Sequence, residues 1–251
     1  MINAVQKLFR RVQPLILDNV GTNDHSTKDD GSPVTRIDTQ VEDTVLSSLR
    51  KQFPSVSFYG EEEGYDSPSD PMFWLIDPLD GTKSFIANVP AFTSMAILIQ
   101  NGQPSVSIIF NHSTSDMFTA KKGEGAFKNN TKLDLTSTPL PNTAICKSIH
   151  KDIADSIFAE KGITCGPGPA GGGYGFTQVA EGISGARFQI KGPGYIHDYA
   201  PGALLVQEAG GINISILDEP YNYKSKDFIS CHPGLADLVR QNIHTIRQLR
   251  G

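Results

Sequence analysis

Between residues 56 and 120 the chain passes through five short apolar runs, "VSFYG", "FWLID", "SMAILIQNG", "PSVSIIF" and "DMFTA". Each is strand-length and bounded by turn-forming residues, so the stretch must fold as a meandering sheet. A sheet of such runs has to be covered, and the flanking sequence supplies helices. Residues 2 to 20 place Val5, Leu8, Phe9, Val12, Leu15 and Ile16 at helical spacing, with Pro14 predicting a bend. Ile37, Val41, Val45, Leu49 and Phe53 recur every four residues and predict a second helix opening near Thr35, after a loop in "HSTKDDGSPVTR".

The second part of the chain mixes the two periodicities. "DIADSIFAE" and "YGFTQVAEG" predict helices, "ARFQI" a strand, "DYAPGALLVQEAGG" a helix closed by glycines, "INISIL" a strand, and residues 234 to 249 a terminal helix. Strands and helices mix throughout, which predicts an α/β fold class without internal repeats. With 251 residues, 38% of them hydrophobic, the chain can bury a full core. A net charge of -5 gives no basic surface, so no nucleic-acid partner is expected. No segment approaches the ~20 apolar residues of a membrane span, and Lys7, Arg10, Arg11 and Asp18 interrupt the N-terminal apolar residues, so neither membrane nor secretion is expected. Cys146, Cys165 and Cys231 form no CxxC and predict reduced thiols in a cytoplasmic protein.

The chemistry concentrates in "WLIDPLDGTKSF", residues 74 to 85, where a buried run meets Asp77 and Asp80. A turn with a helix cap would use the same residue types. A calcium loop fails, because Leu79 and Gly81 occupy ligand positions and Asn88 replaces the closing Glu. A phosphoaspartate arrangement places its two acids two residues apart, whereas Asp77 and Asp80 are three apart, which changes the face a strand residue presents. Upstream, "VSFYGEEEGY" adds Glu61, Glu62 and Glu63, making seven acids between residues 61 and 80. Clustered carboxylates raise one another's pKa unless cations neutralise them, and hard oxygen ligands select magnesium, manganese or calcium. A helix starting at Gly81-Thr82 would add an oxyanion cradle. Divalent metal beside such a cradle points to phosphate ester hydrolysis.

"GEEEG" at 60–64, "WLIDPLDGTKSF" at 74–85, "HDYAPGALLVQEAGG" at 197–211 and, more weakly, "SPVTRID" at 32–38 together resemble the inositol monophosphatase superfamily of lithium-sensitive, magnesium-dependent phosphomonoesterases. The resemblance implies an α+β layered sandwich of αβαβα architecture, with residues 1–140 and 141–251 as two halves of one catalytic unit. It implies that Glu61, Asp77 and the Leu79 carbonyl hold one metal, and that Asp77, Asp80 and Asp198 hold another, Asp77 bridging. Thr82 and Glu61 would orient the attacking water, Asp38 would support Thr82, and Gly81 and Thr82 would bind phosphate with their backbone beside Asp80. Lys28 would lie on a loop reaching the site. The implied cofactor is Mg²⁺, two or three ions per site with Mn²⁺ as substitute. The implied partners are a small phosphorylated metabolite and a second copy of the chain in a homodimer.

The sequence departs from the family pattern where Trp usually precedes the third-motif aspartate and His197 stands instead, a substrate contact or a packing residue rather than a metal ligand. Gly166, Gly168 and Gly171 spell GxGxxG, but Pro167 and Pro169 interrupt it and no βαβ unit surrounds it. "GGGYGFTQVAEG" resembles a histidinol-phosphatase branch, while "KSIHKD" and "GPGYIHD" resemble an adenosine bisphosphate phosphatase branch that usually has a lysine near Gly175. "QIKGPGYIHD" has no clear match to the acid that holds inositol hydroxyls. An inositol monophosphatase-like activity comes first, histidinol phosphate and 3'-phosphoadenosine 5'-phosphate next, and a non-catalytic binding protein on the same fold last.

Overall fold

In the computed structural model, which describes residues 1–22, 25–28, 31, 33–64, 70–168, 171–190, 194–217 and 220–250, the apolar runs become one large sheet. Its strands are β3 (Ser57–Gly60), β4 (Met72–Asp80), β5 (Thr93–Gln100), β6 (Gln103–Asn111), β7 (Met117–Lys121), β8 (Gly125–Lys128) and β9 (Thr131–Leu133), in that spatial order. A second sheet combines β10 (Thr143–Ile145), β11 (Thr164–Gly166), β12 (Ala186–Gln189), β13 (Ile212–Ser215) and β14 (Phe228–Cys231) in the order β11-β10-β12-β14-β13. β1 (His25–Thr27) and β2 (Pro33–Thr35) pair separately as an antiparallel ribbon. The helices are α1 (Ile2–Leu17), α2 (Arg36–Gln52), α3 (Thr82–Ile86), α4 (Lys151–Phe158), α5 (Gly172–Ala180), α6 (Ile196–Glu208), α7 (Ala236–Gln241) and α8 (Ile243–Arg247).

Alternation along the strands sends side chains to both faces of the first sheet. On one face, Trp74, Ile76, Ala96 and Ile108 meet Phe9 and Val12 of α1 and Val41 and Val45 of α2. On the other, Leu75, Met95, Ile97 and Ile109 meet Phe176 of α5 and Tyr199, Ala203 and Val206 of α6. α5 and α6 also lie on the second sheet, whose far face is covered by Ala154 and Phe158 of α4, Val239 of α7 and Ile246 of α8. The layers are therefore α, β, α, β, α. Each fully buried side chain such as Phe9 or Leu49 contributes about 1.5–3 kcal/mol, so the stripes on α1 and α2 suffice to fix those helices.

Thr35 opens α2 as expected: its hydroxyl accepts from the amides of Ile37 and Asp38, and Asp38 accepts the Thr35 amide in return. α1 passes through Pro14 and ends at Leu17. Cys146, Cys165 and Cys231 are free and buried. Three expectations need correction. The segment "HSTKDDGSPVTR" contains the β1–β2 ribbon among its described residues, not only a loop. The terminal helix is broken at Asn242, whose side chain donates to the Leu238 carbonyl at 2.9 Å and competes with the helical pattern. The first sheet is not a pure meander, because β3 and β4 run parallel, with Gly60 opposite Ile76.

β4 continues to Asp80, past Pro78, which has no N–H for the ladder. The register against β5 shifts between Asp77 and Asp80, forming the irregularity that accommodates the proline. The Pro78 carbonyl accepts from Ser94 Oγ at 2.6 Å, and Ser94 Oγ lies 2.7 Å from His112 Nε2. Since the serine proton goes to Pro78, the imidazole must donate from Nε2. His112 is sealed in, and Gln13 of α1 donates to its carbonyl at 2.7 Å, so one chain of bonds ties α1 to the irregular part of β4.

Burial pushes the His112 pKa down to about 3 from 6.5. The unfolded chain therefore binds more protons between those values, and the stability attached to neutral His112 is complete above pH 6.5 and lost as pH falls toward 3. In urea titrations, the stability advantage of the wild type over His112→Gln should shrink on acidification through this window, by at most about 1.4 kcal/mol per pH unit. A pH-independent difference would contradict the assignment.

Candidate metal centre

The parallel pairing of β3 and β4 decides where the acids go. Because both strands point the same way, Glu61 leaves β3 at the sheet end where Asp77 stands on β4. Asp77 is 1% exposed; its Oδ1 accepts the Leu79 amide at 3.0 Å, and its buried Oδ2 has no hydrogen-bond partner. Burial raises its pKa well above the carboxylate range, and Glu61, Asp80 and Asp198 raise it further.

Asp80 is held differently. Its Oδ1 accepts the Gly172 amide at 2.9 Å, and its Oδ2 accepts the Gly173 amide and the Thr93 hydroxyl, both at 2.9 Å. Burial raises its pKa, while these donors and the charge of Arg187 pull it back. α5 thus docks its first turn on a strand more than ninety residues earlier. Gly172 also lets α5 pack closely on the start of α6, since a Cβ there would overlap the Asp198 carbonyl oxygen.

Asp198 sits in the first turn of α6, with its carboxylate accepting the Tyr195 amide. It is therefore not the cap residue itself but closes the turn from inside, at the helix's positive end. Burial raises its pKa well above the usual range, followed by the charge of Glu61. His197 is 2% exposed and stacks on Tyr195 at 5.6 Å between centroids. Burial lowers its pKa to about 4, so the imidazole is neutral at pH 7.

The three glutamates after β3 separate. Lys28 Nζ lies 2.7 Å from Glu61 Oε1 and 2.6 Å from Glu62 Oε1, and Arg50 binds Glu63 at 2.6 Å. Below them lies Glu42 of α2, which accepts the amides of Glu62 and Glu63; burial pushes its pKa up to about 7, partly offset by those bonds. One turn earlier on α2, Asp38 Oδ1 accepts the Thr82 hydroxyl at 2.8 Å, and Oδ2 accepts the Thr35 hydroxyl at 2.5 Å. Thr82 begins α3 directly after Gly81, whose φ of 86° needs glycine's freedom.

Among the described residues, two groups bring one ligand atom from each member within 4.8 Å of one another: Asp77, Asp80 and Asp198, and Glu61, His197 and Asp198. Hard carboxylate oxygens, an unpartnered buried Oδ2 and carboxylates destabilised by their neighbours form a donor set that fits a divalent cation. A model of the inositol monophosphatase family matches residues 1–248. The chain belongs to this family. Nus factor SuhB of Escherichia coli K12 is 31% identical over 260 residues, covering 97% of this chain and 95% of the relative. Inositol monophosphatase 1 of Bos taurus is 29% identical over 238 residues, covering 85% of this chain and 82% of its own. The IMPase of Thermotoga maritima has the same fold, with a TM-score of 0.85 at 22% identity over 100% of this chain and 99% of its own. Inositol monophosphatase-II of Staphylococcus aureus aligns with a TM-score of 0.75 at 22% identity over 96% and 92%. Family membership brings with it phosphatase chemistry and the use of divalent metal.

All the site residues anticipated from the family motifs lie in this region. Asp198 is the side chain common to these two groups, and His197, expected as a substrate contact or packing residue, joins one of them. Sequence reasoning missed Glu42, Thr93, Gly172, Gly173 and Arg187. Glu42 carried a signal, a second acid four residues after Asp38 beside the apolar stripe of α2. The Gly171–Gly173 run, part of the stretch first weighed as a dinucleotide loop, instead cradles Asp80, while Pro169 and residues 191–193 lie outside the described residues. Gly172→Ala should cost about 1–3 kcal/mol in urea unfolding, because the methyl group meets backbone that must shift, and it should weaken magnesium-dependent activity. Unchanged stability and activity would contradict the clamp.

Proposed function

We propose that this protein hydrolyses a small phosphate monoester with Mg²⁺ and a metal-activated water, inositol monophosphate being the first-choice substrate. The observation that carries the proposal is the Asp77–Asp80–Asp198 group with its unpartnered Asp77 oxygen. Asp77, Asp80 and Asp198 would hold one ion; Glu61, Asp77 and the Leu79 carbonyl would hold another, with His197 and Lys28 beside them. Bound there, divalent ions lower the pKa of a water and neutralise charge on phosphoryl and leaving oxygens.

The chain's own groups do the positioning. Thr82 donates its hydroxyl hydrogen bond to Asp38, so the Thr82 oxygen keeps its lone pairs to accept a hydrogen bond from the attacking water and orient it. Glu61 fixes that water from the other side. The amides of Gly81, which precedes α3, and of Thr82, which opens it, have no intrahelical acceptor and would donate to a phosphate oxygen. The halves 1–140 and 141–251 work as one catalytic unit, because the second supplies the donors that hold Asp80.

Substrate choice rests on relatives that carry the inositol monophosphatase name, and on a related staphylococcal enzyme solved with inositol monophosphate bound. The same staphylococcal enzyme has been solved with 2'AMP bound, so nucleotide monophosphates belong among the substrates to compare. The name Nus factor belongs to the SuhB relatives; the net charge of -5 supports a metabolite rather than nucleic acid as the partner here. We further propose a homodimer in the reducing cytoplasm, consistent with three free cysteines.

Activity should vanish on chelation and return with Mg²⁺, and kcat/KM across inositol monophosphate, histidinol phosphate, 3'-phosphoadenosine 5'-phosphate, 2'-AMP and fructose 1,6-bisphosphate should be highest for the first. Full activity after exhaustive chelation would end the metal reading. Thr82→Ala should stay folded with kcat reduced by about 10²-fold or more at saturating Mg²⁺. Asp198→Asn, which can still accept the Tyr195 amide, should keep its fold and lose magnesium affinity; normal magnesium dependence would remove Asp198 from the site.

A further inference from the structure

Glu42 is 2% exposed and no lysine or arginine pairs with it among the described residues. A carboxylate taken out of water is costly unless hydrogen bonds replace the solvent. Its two oxygens receive the Glu62 amide at 3.1 and 3.0 Å, and Oε1 receives the Glu63 amide at 3.0 Å. Gly60 leaves room for it, since a Cβ there would stand 2.6 Å from Oε1. The peptide groups after Glu61 are thereby turned inward onto α2.

That orientation sorts the three neighbouring acids. With their amides directed at Glu42, Glu62 and Glu63 send their side chains to Lys28 and Arg50, and only Glu61 joins the group containing Asp198. Glu42 and Asp38 lie one turn apart on the buried side of α2, so one rigid helix holds both the Glu61 turn and the Thr82 hydroxyl. An apolar side chain of the same shape would fill the space but leave the Glu62 and Glu63 amides without their acceptor.

We propose that Glu42 is a positioning residue for metal binding, acting through the 61–63 turn to hold Glu61 at the site. This rests on the metal-dependent hydrolysis proposed above. The test is calorimetric titration of Mn²⁺ into the wild type, Glu42→Gln, Glu42→Asp and Val45→Ala, with the Mg²⁺ midpoint of inositol monophosphate hydrolysis measured in parallel. Gln keeps the shape but removes the charge and, with its oxygen left at the Oε1 position, sets a donor against the Glu62 amide. Its Mn²⁺ Kd and Mg²⁺ midpoint should rise together by about 10–100-fold, with a smaller change in KM at saturating metal. Asp retains the charge and should recover part of the affinity. Val45→Ala removes buried apolar volume from the same helix and controls for general loosening; it should lower stability while leaving the Mn²⁺ Kd within about twofold.

Should Glu42→Gln not fold, Glu42→Asp decides the matter by whether its Kd exceeds that of Val45→Ala. A Kd for the Glu42 variants matching the wild type, or an equal rise in Val45→Ala, overturns the positioning role while leaving the proposed hydrolase intact. A wild type that binds no Mn²⁺ overturns the proposed function, and this inference with it.

Discussion

A carboxylate sealed from water with one oxygen unpartnered, as Asp77 is, cannot hold its charge cheaply unless a cation stands against it. Around it the chain gathers Asp80, Asp198 and Glu61, each acid raising the pKa of Asp77 further. Their mutual repulsion would drive an ordinary surface cluster apart. Here the backbone prevents that, because each acid is rooted in an element whose place is set by apolar packing away from the site.

Two helices hold the cluster from opposite sides of the first sheet. From one side, α2 offers Asp38 and Glu42 at adjacent turns, one reaching Thr82 and the other the turn behind Glu61. From the other, α5 offers the amides of Gly172 and Gly173 to Asp80. These are charge-assisted bonds to backbone and hydroxyl donors, and they cost little reorganisation once the layers have packed. Asp198 comes from α6, whose Tyr199 and Ala203 lie in the core shared by the two sheets. The site is a consequence of the αβαβα stacking, and no single element carries it.

Much of this was legible in the residues. Alternation and four-residue spacing located β3 to β7, α1 and α2, and the acids crowded at strand ends pointed to a hard cation, while Asp38, Asp198 and Lys28 came only with the resemblance to the family. Short strands such as β8, β10 and β11 escaped notice, since three or four residues carry too little periodicity to announce themselves. The parallel sense of β3 and β4 was also hidden: direction depends on the connection between them, and each run reads the same in either orientation. Glu42 and the Gly172–Gly173 clamp were missed for a related reason. Their meaning comes from long-range contacts, and an isolated buried acid or a glycine run looks locally like a solvated face or a turn.

The electrostatics also couple the metal to the fold. Asp77 and Asp198 have pKa values raised above those of the unfolded chain, so their contribution to the stability of the metal-free protein is complete at low pH, where they are protonated, and is lost as pH rises through their folded values. Protons and divalent cations therefore compete for the same oxygens. Once these groups ionise, the metal-free site bears the cost of crowded, desolvated charge, and a cation that binds the folded state alone relieves it by mass action. The groups that make the site reactive are thus the groups that make the apo fold weakest, while the apolar layers that position them carry the stability they lack.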